Sequence, residues 1–324
     1  MRILIVADPI ESFKTYKDST YAIMQAAVAR GHALAFCELP ALWLEGGEVL
    51  ADARDLELDG PQLGEPGHDP HGWWRLEAPR AEPLAAFDAV LMRKDPPFDL
   101  EYVYATWLLE HATRRGARVF NDPRAIRDHG EKYAIAEFPR FTADTIVTRD
   151  PARLRAFAQR HGEAVFKLLD GMGGASIFRA RADDPNLSVI IETMNAFGAR
   201  SVMAQRYLPQ IADGDKRVLL IGGRVVPFAL ARVPKQGEAR GNLAAGGTGR
   251  AQPLSARDRE IAETLAPVLA ARGLFLVGLD VIGECLTEIN VTSPTCFREI
   301  AEQAGFDVAG LYVERLEAAV ARRG

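Results

Sequence analysis

The segment Val277-Gly278-Leu279-Asp280-Val281-Ile282-Gly283-Glu284-Cys285-Leu286-Thr287-Glu288-Ile289-Asn290-Val291 carries two carboxylates and an amide at spacings that a hairpin would bring together. Folded about Gly283–Cys285, it sets Asp280 opposite Glu288, with Cβ atoms about 5 Å apart across the strands. The period of two places Asp280, Glu288 and Asn290 on one face and Leu279, Val281, Ile289 and Val291 on the other. Acidic groups this close repel one another unless a cation lies between them. Oxygen donors of this kind suit Mg²⁺, which also keeps water and phosphate oxygens in its shell. The plainer alternative is a solvated strand face that is acidic by chance, and the clean alternation argues against it.

A second segment, Ala164-Val165-Phe166-Lys167-Leu168-Leu169-Asp170-Gly171-Met172-Gly173-Gly174-Ala175-Ser176, sets Lys167 in a buried strand before a turn of three glycines. Glycines let backbone N–H groups approach phosphate oxygens closely. No Gly-Lys-Ser/Thr closes the turn and no Gly-x-Gly-x-x-Gly opens a helix, so neither a P-loop nor a dinucleotide fingerprint is present. Alone, such a turn reads better as a hairpin corner. In a third region Arg217 begins a strand and Arg232 ends the strand returning from Gly222-Gly223. From there to Pro253 the chain holds five glycines, with Lys235, Arg240 and Arg250 among them. That stretch (Val233–Gly249 at its centre) is either a linker or a lid; as a lid it would bring Arg240 over a phosphate.

These residues need a scaffold, and the first third of the chain alternates strand and helix. Ile3–Ala7, Ala33–Leu39, Ala89–Met92 and Arg118–Phe120 read as buried strands. Thr20–Arg30, capped by Asp18 or Ser19, and Glu101–Arg115 read as helices. The alternation predicts an α/β domain with an open, mostly parallel sheet. Leu42–Leu58 reads as a hairpin excursion turning at Gly46-Gly47, and Asp59–Pro83 as a surface loop without structure of its own. Its His68, His71, Trp73 and Trp74 read as loop and packing residues, since nothing supplies a third metal ligand. Past a boundary near Asn121–Arg127 the pattern becomes α+β. Helices Pro151–His161, Asn186–Phe197 and Ser255–Arg272 mix with strands Thr142–Val147, Ala164–Leu169 and Ser201–Gln205 and with hairpins Lys216–Arg232 and Phe275–Val291. Three domains are expected, over 1–122, 123–204 and 205–324.

Composition excludes several classes of function. The 324 residues are 48% hydrophobic and 26% charged, an ordinary globular balance. A net charge of -5 gives no basic footprint for nucleic acid. Three scattered cysteines, Cys37, Cys285 and Cys296, form no CxxC pair and argue against a disulfide framework or a zinc site. No apolar run approaches the ~20 residues of a membrane helix, and the N-terminus is too short in apolar residues for a signal peptide, so a cytoplasmic protein is expected.

Together these features resemble the ATP-grasp superfamily, and within it the bacterial glutathione synthetase family, over nearly the whole chain. The resemblance rests on Leu91-Met92-Arg93-Lys94-Asp95-Pro96-Pro97-Phe98-Asp99 and Leu169-Asp170-Gly171-Met172-Gly173-Gly174-Ala175-Ser176. More specific are Arg240-Gly241-Asn242-Leu243-Ala244-Ala245-Gly246-Gly247 and Thr287-Glu288-Ile289-Asn290-Val291-Thr292-Ser293-Pro294-Thr295-Cys296. It implies a two-lobed ATP-grasp region after the N-terminal substrate domain. Lys132 and Lys167 would contact the ATP phosphates and adenine region, and Gly171, Gly173 and Gly174 would close over the phosphates. Gln205, Tyr207 and Leu208 would hold the adenine, with Asp215 at the ribose. Asp280, Glu288 and Asn290 match the ligands of two Mg²⁺ ions, with Mn²⁺ able to stand in. Lys17, Asp18, Ser19, Arg93 and Ser293 would contact the dipeptide.

The reaction the resemblance implies is ATP + γ-L-glutamyl-L-cysteine + glycine → glutathione + ADP + phosphate. A carboxylate accepts an amine poorly, so ATP first converts it to an acyl phosphate. No enzyme nucleophile is needed, and positioning and charge neutralisation do the work, the charge coming from Lys167, Arg217, Arg232, Arg240 and the cations. Cys296 therefore reads as a packing residue rather than a nucleophile. Another ATP-grasp carboxylate–amine ligase, or a non-catalytic nucleotide-binding regulator, are the alternatives. The regulator predicts the loss of a magnesium ligand or phosphate lysine, and none is missing. The partners implied are these small molecules and a homotetramer, with no nucleic acid and no membrane.

Overall fold

The computed structural model describes residues 1–59, 72–174, 176–235 and 247–322. Arg240 and most of the expected lid lie outside the described residues, as do His68 and His71.

The described strands form three sheets. The first is built from β1 (Arg2–Ala7), β2 (Ala33–Glu38), β3 (Leu42–Glu45), β4 (Glu48–Leu58), β5 (Trp74–Leu76), β6 (Arg80–Pro83), β7 (Ala89–Met92) and β8 (Val119–Phe120). Its centre is parallel: β2, β1, β7 and β8 lie side by side. β1 is the near-continuous apolar run Ile3-Leu4-Ile5-Val6, buried on both faces as a central parallel strand must be. The expected hairpin β3–β4 joins the same sheet through an antiparallel β2–β4 pairing. The expectation of an unstructured Asp59–Pro83 is corrected here, because β5 and β6 both pair with β4. Both are short and polar on one face, which is why the sequence hides them. Trp73 is buried against Phe13 and Tyr21, a packing role.

Helix α1 (Ser19–Ala29) starts at Asp18, whose carboxylate accepts from the Tyr21 N–H at 2.8 Å. Asp99 caps α2 (Leu100–Arg114) in the same way at 2.9 Å. α2 covers one face of the sheet with Tyr102, Leu109 and Ala112. The opposite face packs against α1 and against α8 (Val308–Ala321), which returns from the far end of the chain.

After the short α3 (Pro123–Asp128), the second sheet has the order β11-β10-β12-β9, all antiparallel neighbours. Its strands are β9 (Thr145–Thr148), β10 (Glu163–Leu168), β11 (Ile177–Arg181) and β12 (Val202–Arg206). α4 (Pro151–His161) and α5 (Leu187–Met194) pack on one face through Leu154, Phe157, Ile191 and Met194. The third sheet, β15-β14-β13-β16-β17, is built from β13 (Asp215–Ile221), β14 (Arg224–Val233), β15 (Thr248–Pro253), β16 (Leu276–Ile282) and β17 (Cys285–Asn290). One of its faces meets α6 (Ala256–Ala271) through Ile261, Leu265 and Leu269. Leu219, Ile221 and Leu230 join the core of the first sheet, together with α7 (Phe297–Ala304) and α8. Asn121 stitches the two: its amide donates to the Leu276 and Val291 carbonyls at 2.8 and 2.7 Å and accepts from the Leu276 N–H.

Candidate active site

A cavity of about 310 Å³ opens between the second and third sheets. The hairpin β16–β17 supplies its acidic wall. Asp280 pairs directly with Glu288, and Gly278 with Asn290, as the alternation requires. The turn itself differs from the expectation. It is the two-residue Gly283-Glu284, with Ile282 opposite Cys285, and a bulge at Thr287 restores the Asp280–Glu288 register. The bulge also leaves Thr287 and Glu288 both lining the cavity, while Leu286, Ile289 and Val291 enter the core. Gly278 is required by close approach: a Cβ there would lie 2.8 Å from Arg217 Cδ and 3.1 Å from Pro294 Cβ.

Cross-strand register sets the charges of β13, β14 and β16 in a chain. Asp215 is paired with Arg232, and Arg217 with Asp280. Arg217 donates to Asp280 at 2.6 and 3.2 Å, and Arg232 bridges Asp215 at 2.6 Å and Asp280 at 2.9 Å. Arg217, Arg232 and Asp280 are buried. Burial would raise the Asp280 carboxyl, but the two guanidiniums outweigh it and hold it well below the usual carboxylate range. Asp215 goes the other way: burial pushes it up to about 6, against the pull of Arg232. The geometry explains the split, since both Asp280 oxygens accept from guanidiniums while Asp215 Oδ1 is buried without a partner.

Between the ordinary carboxylate value and about 6, the folded protein therefore holds the Asp215 proton more tightly than the unfolded chain. That raised group loses stability as pH rises through this window and is level above it. Asp215→Asn removes the titration. The variant's Tm minus the parent's should rise between pH 4 and 7, read by calorimetry; a difference independent of pH would contradict the assignment.

The opposite wall is polar by the same period of two. Lys167 on β10 and Gln205 on β12 face the cavity, while Phe166 and Ala204 face α4 and α5. Lys167 Nζ donates to Gln205 Oε1 at 2.6 Å. Gln205 Nε2 donates to the Thr145 hydroxyl at 3.1 Å, which itself donates to the Ala143 carbonyl at 2.8 Å. These directed bonds fix the Gln205 amide with its oxygen toward the lysine. Burial lowers the Lys167 ammonium, with Glu288 and Asp215 pulling it back up. Lys132 Nζ bonds the Gly171 carbonyl and reaches Glu288 Oε1 at 3.1 Å, tying the glycine turn to the acidic wall.

Of the site residues expected from sequence, Gly171, Gly173, Gly174, Tyr207, Leu208 and Ser293 also line the cavity. Lys17, Asp18, Ser19 and Arg93 do not. Arg93 is buried, donating to Thr20 Oγ1 and to the Pro294 carbonyl, each at 3.1 Å. Ser19 Oγ accepts from the Phe297 N–H, so this group braces the segment that walls the cavity from behind. Asp95, Glu131, Arg206 and Thr292 line the cavity and were not expected from sequence. Cys296 also lines it, and burial pushes its thiol up against the pull of Arg217 and Arg232, as suits a packing residue.

The described lining holds five acids (Asp95, Glu131, Asp215, Asp280, Glu288) and five bases (Lys132, Lys167, Arg206, Arg217, Arg232). This formal neutrality means a bound polyphosphate needs further cations. The donors fit a divalent ion shared with a ligand. The Asn290 amide donates from Nδ2 to the Gly278 carbonyl, leaving Oδ1 as an acceptor, and Glu288 Oε2 has no partner among the described residues. Among the described residues no three His, Cys, Asp or Glu side chains could hold a metal by themselves, so ligand oxygens must complete the shell.

Comparison with known proteins places this geometry. Residues 131–305 match the family described as prokaryotic glutathione synthetase, ATP-grasp domain, and residues 1–127 its N-terminal domain. A glutathione synthetase of Ralstonia nicotianae is 61% identical over 322 residues, covering 99% of this chain and 97% of the relative. One from Bordetella parapertussis is 56% identical, covering 98% and 99%. Among solved structures, the ATP-grasp ligase PsnB complexed with minimal precursor, Mg and ADP aligns with a TM-score of 0.62 at 19% identity, over 98% of both chains; it shows the fold. The chain belongs to the prokaryotic glutathione synthetase family, and with it to the ATP-dependent ligases of the ATP-grasp fold that make glutathione.

Proposed function

We propose that the two sheets divide the work of joining glycine to γ-L-glutamyl-L-cysteine through an acyl phosphate. Gln205, Tyr207 and Leu208 take the adenine, Asp215 the ribose, and Lys132, Lys167 and the turn Gly171–Gly174 the phosphates. Asp280, Glu288 and Asn290 hold magnesium, which, when bound, neutralises charge on the transferring phosphoryl group. Ser293, on the wall braced by Arg93, receives the dipeptide. The cysteinyl carboxylate attacks the γ-phosphorus and ADP leaves. Glycine's amine then attacks the acyl carbon, and the tetrahedral oxyanion collapses with loss of phosphate. Arg217 and Arg232 hold positive charge at the floor of the site throughout, and a walled cavity keeps water from the acyl phosphate.

The observation that carries this reading is the cavity itself, where Lys132, Lys167 and the glycine turn face Asp280, Glu288 and Asn290. The parts 1–122, 123–204 and 205–324 would supply the dipeptide wall, the nucleotide lobe and the cation lobe. A homotetrameric, cytoplasmic enzyme belongs to the same reading. It is supported by an exposed stripe on α2 (Leu100, Tyr104, Trp107) able to meet another copy, and by three free cysteines. No described helix is long and apolar enough to cross a membrane. Hydroxylamine offered in place of glycine should trap the intermediate as a hydroxamate, with one ADP per hydroxamate. AMP and pyrophosphate, or ADP without hydroxamate, would contradict the acyl phosphate.

A further inference from the structure

Glu131 and Lys132 are adjacent in sequence, and between them they bond the glycine turn at Gly171, the Glu288 carboxylate and the segment 289–292. The Glu131 carbonyl accepts from the Ile289 N–H at 2.9 Å, one residue before Asn290. Its carboxylate Oε1 accepts from three donors on the other side of Asn290: the Val291 N–H at 2.8 Å, the Thr292 N–H at 3.0 Å and the Thr292 hydroxyl at 2.9 Å. Asn290 is thus held between two clamps set by one residue. From Thr292 the chain runs directly into the cavity wall Ser293-Pro294-Thr295-Cys296. The second oxygen, Oε2, has no hydrogen-bond partner among the described residues, and Glu131 lines the cavity.

Holding a carboxylate this way is costly. Burial raises the Glu131 carboxyl, and the nearby Glu288 raises it further. An acid placed beside a second acid persists only where its hydrogen bonds fix something the site needs. Two of the three bonds end on backbone and the third on the Thr292 hydroxyl, none on a charged partner, so the carboxylate acts on the course of the chain.

We propose that Glu131 is a positioning residue for ligation, fixing the backbone at Val291-Thr292 and with it the aim of Asn290 and the register of the 293–296 wall against the dipeptide. The role rests on the reading of the cavity given above. An error of about 1 Å in such a segment is enough to cost roughly a hundredfold in rate. The nucleotide lobe has its own fixings at Lys167, Gln205 and Thr145, so the adenine side is independent of this clamp.

The test compares Glu131→Gln, Glu131→Ala and Thr292→Val in the full chain, by steady-state kinetics in each substrate and by calorimetric binding of ADP. Glutamine keeps an amide oxygen for the two backbone donors. Glu131→Gln should stay within about tenfold of the parent, while Glu131→Ala should lose roughly a hundredfold in kcat/KM for the dipeptide. Affinity for ADP measured without Mg²⁺ should stay within about threefold in both, because Asn290 would act on the nucleotide only through the cation. Thr292→Val removes one of the three bonds and should show the same pattern in smaller degree. Equal losses in the Gln and Ala variants, losses in ADP affinity that parallel those for the dipeptide, or a fully active Ala variant would each overturn the proposal. Should Glu131→Ala not fold, parent kinetics in Thr292→Val overturns it as well. Failure of the functional reading shows separately, as absence of ligation by the parent.

Discussion

Asp280→Asn should cost the folded protein about 3–5 kcal/mol, the usual consequence of removing one partner from a buried ion pair. The substitution keeps the side chain's volume and removes the charge that two buried guanidiniums share. Asp215 does not take over, because it is already committed to Arg232 and makes no bond to Arg217, which is paired only through Asp280 among the described residues. Ligation should vanish with it, since Asp280 is one of the three residues proposed to hold the cation. Denaturant unfolding gives the stability and coupled ADP assay the activity. In a double variant with Arg217→Met, part of the lost stability should return, because the unpaired cation is gone and an apolar stem fills its place. If Asp280→Asn unfolds at the parent's denaturant concentration, the ionic cluster is not a structural element.

Glu288→Gln should lower kcat by roughly 10²–10³-fold, the scale of losing one electrostatic stabiliser of the transferring group. Stability should change little. Glu288 is only partly buried, and its ion pair with Lys132 at 3.1 Å can be replaced by a hydrogen bond from the ammonium to the glutamine oxygen or to water. Activity and Tm should therefore separate in this variant where they fall together in Asp280→Asn. The magnesium concentration for half-maximal rate should rise. Near-normal turnover with unchanged metal dependence would contradict the placement of Glu288 at the cation.

The contrast between these two residues was only half legible in the sequence. Alternation in 277–291 sufficed to put Asp280, Glu288 and Asn290 on one face, because a strand with one buried side has no freedom in register. The bulge at Thr287 was not legible, since the sequence gives no signal for one unpaired residue in a polar stretch. That Asp280 is gripped by Arg217 and Arg232 depends on the pairing of β13 with β16, a contact across 63 residues. Glu131 was missed for the same reason: it sits in a loop with no periodicity, and its partners lie 160 residues away. Local signals did give the helix cap at Asp18 and the buried run of β1, but not the cap at Asp99. They failed at β5 and β6, which are strands only because β4 offers its edge. Lys17–Ser19 and Arg93 were named through family resemblance, not through any local pattern, and of these Arg93 and Ser19 bond the segment that walls the cavity.

The most direct measurement is product analysis by mass spectrometry after incubating the protein with ATP, Mg²⁺, γ-L-glutamyl-L-cysteine and glycine. Glutathione should appear in a one-to-one ratio with ADP and phosphate, and omission of any of the four should abolish it. ADP released without tripeptide, or a ligated product formed equally well from other carboxylates and amines, would contradict the account.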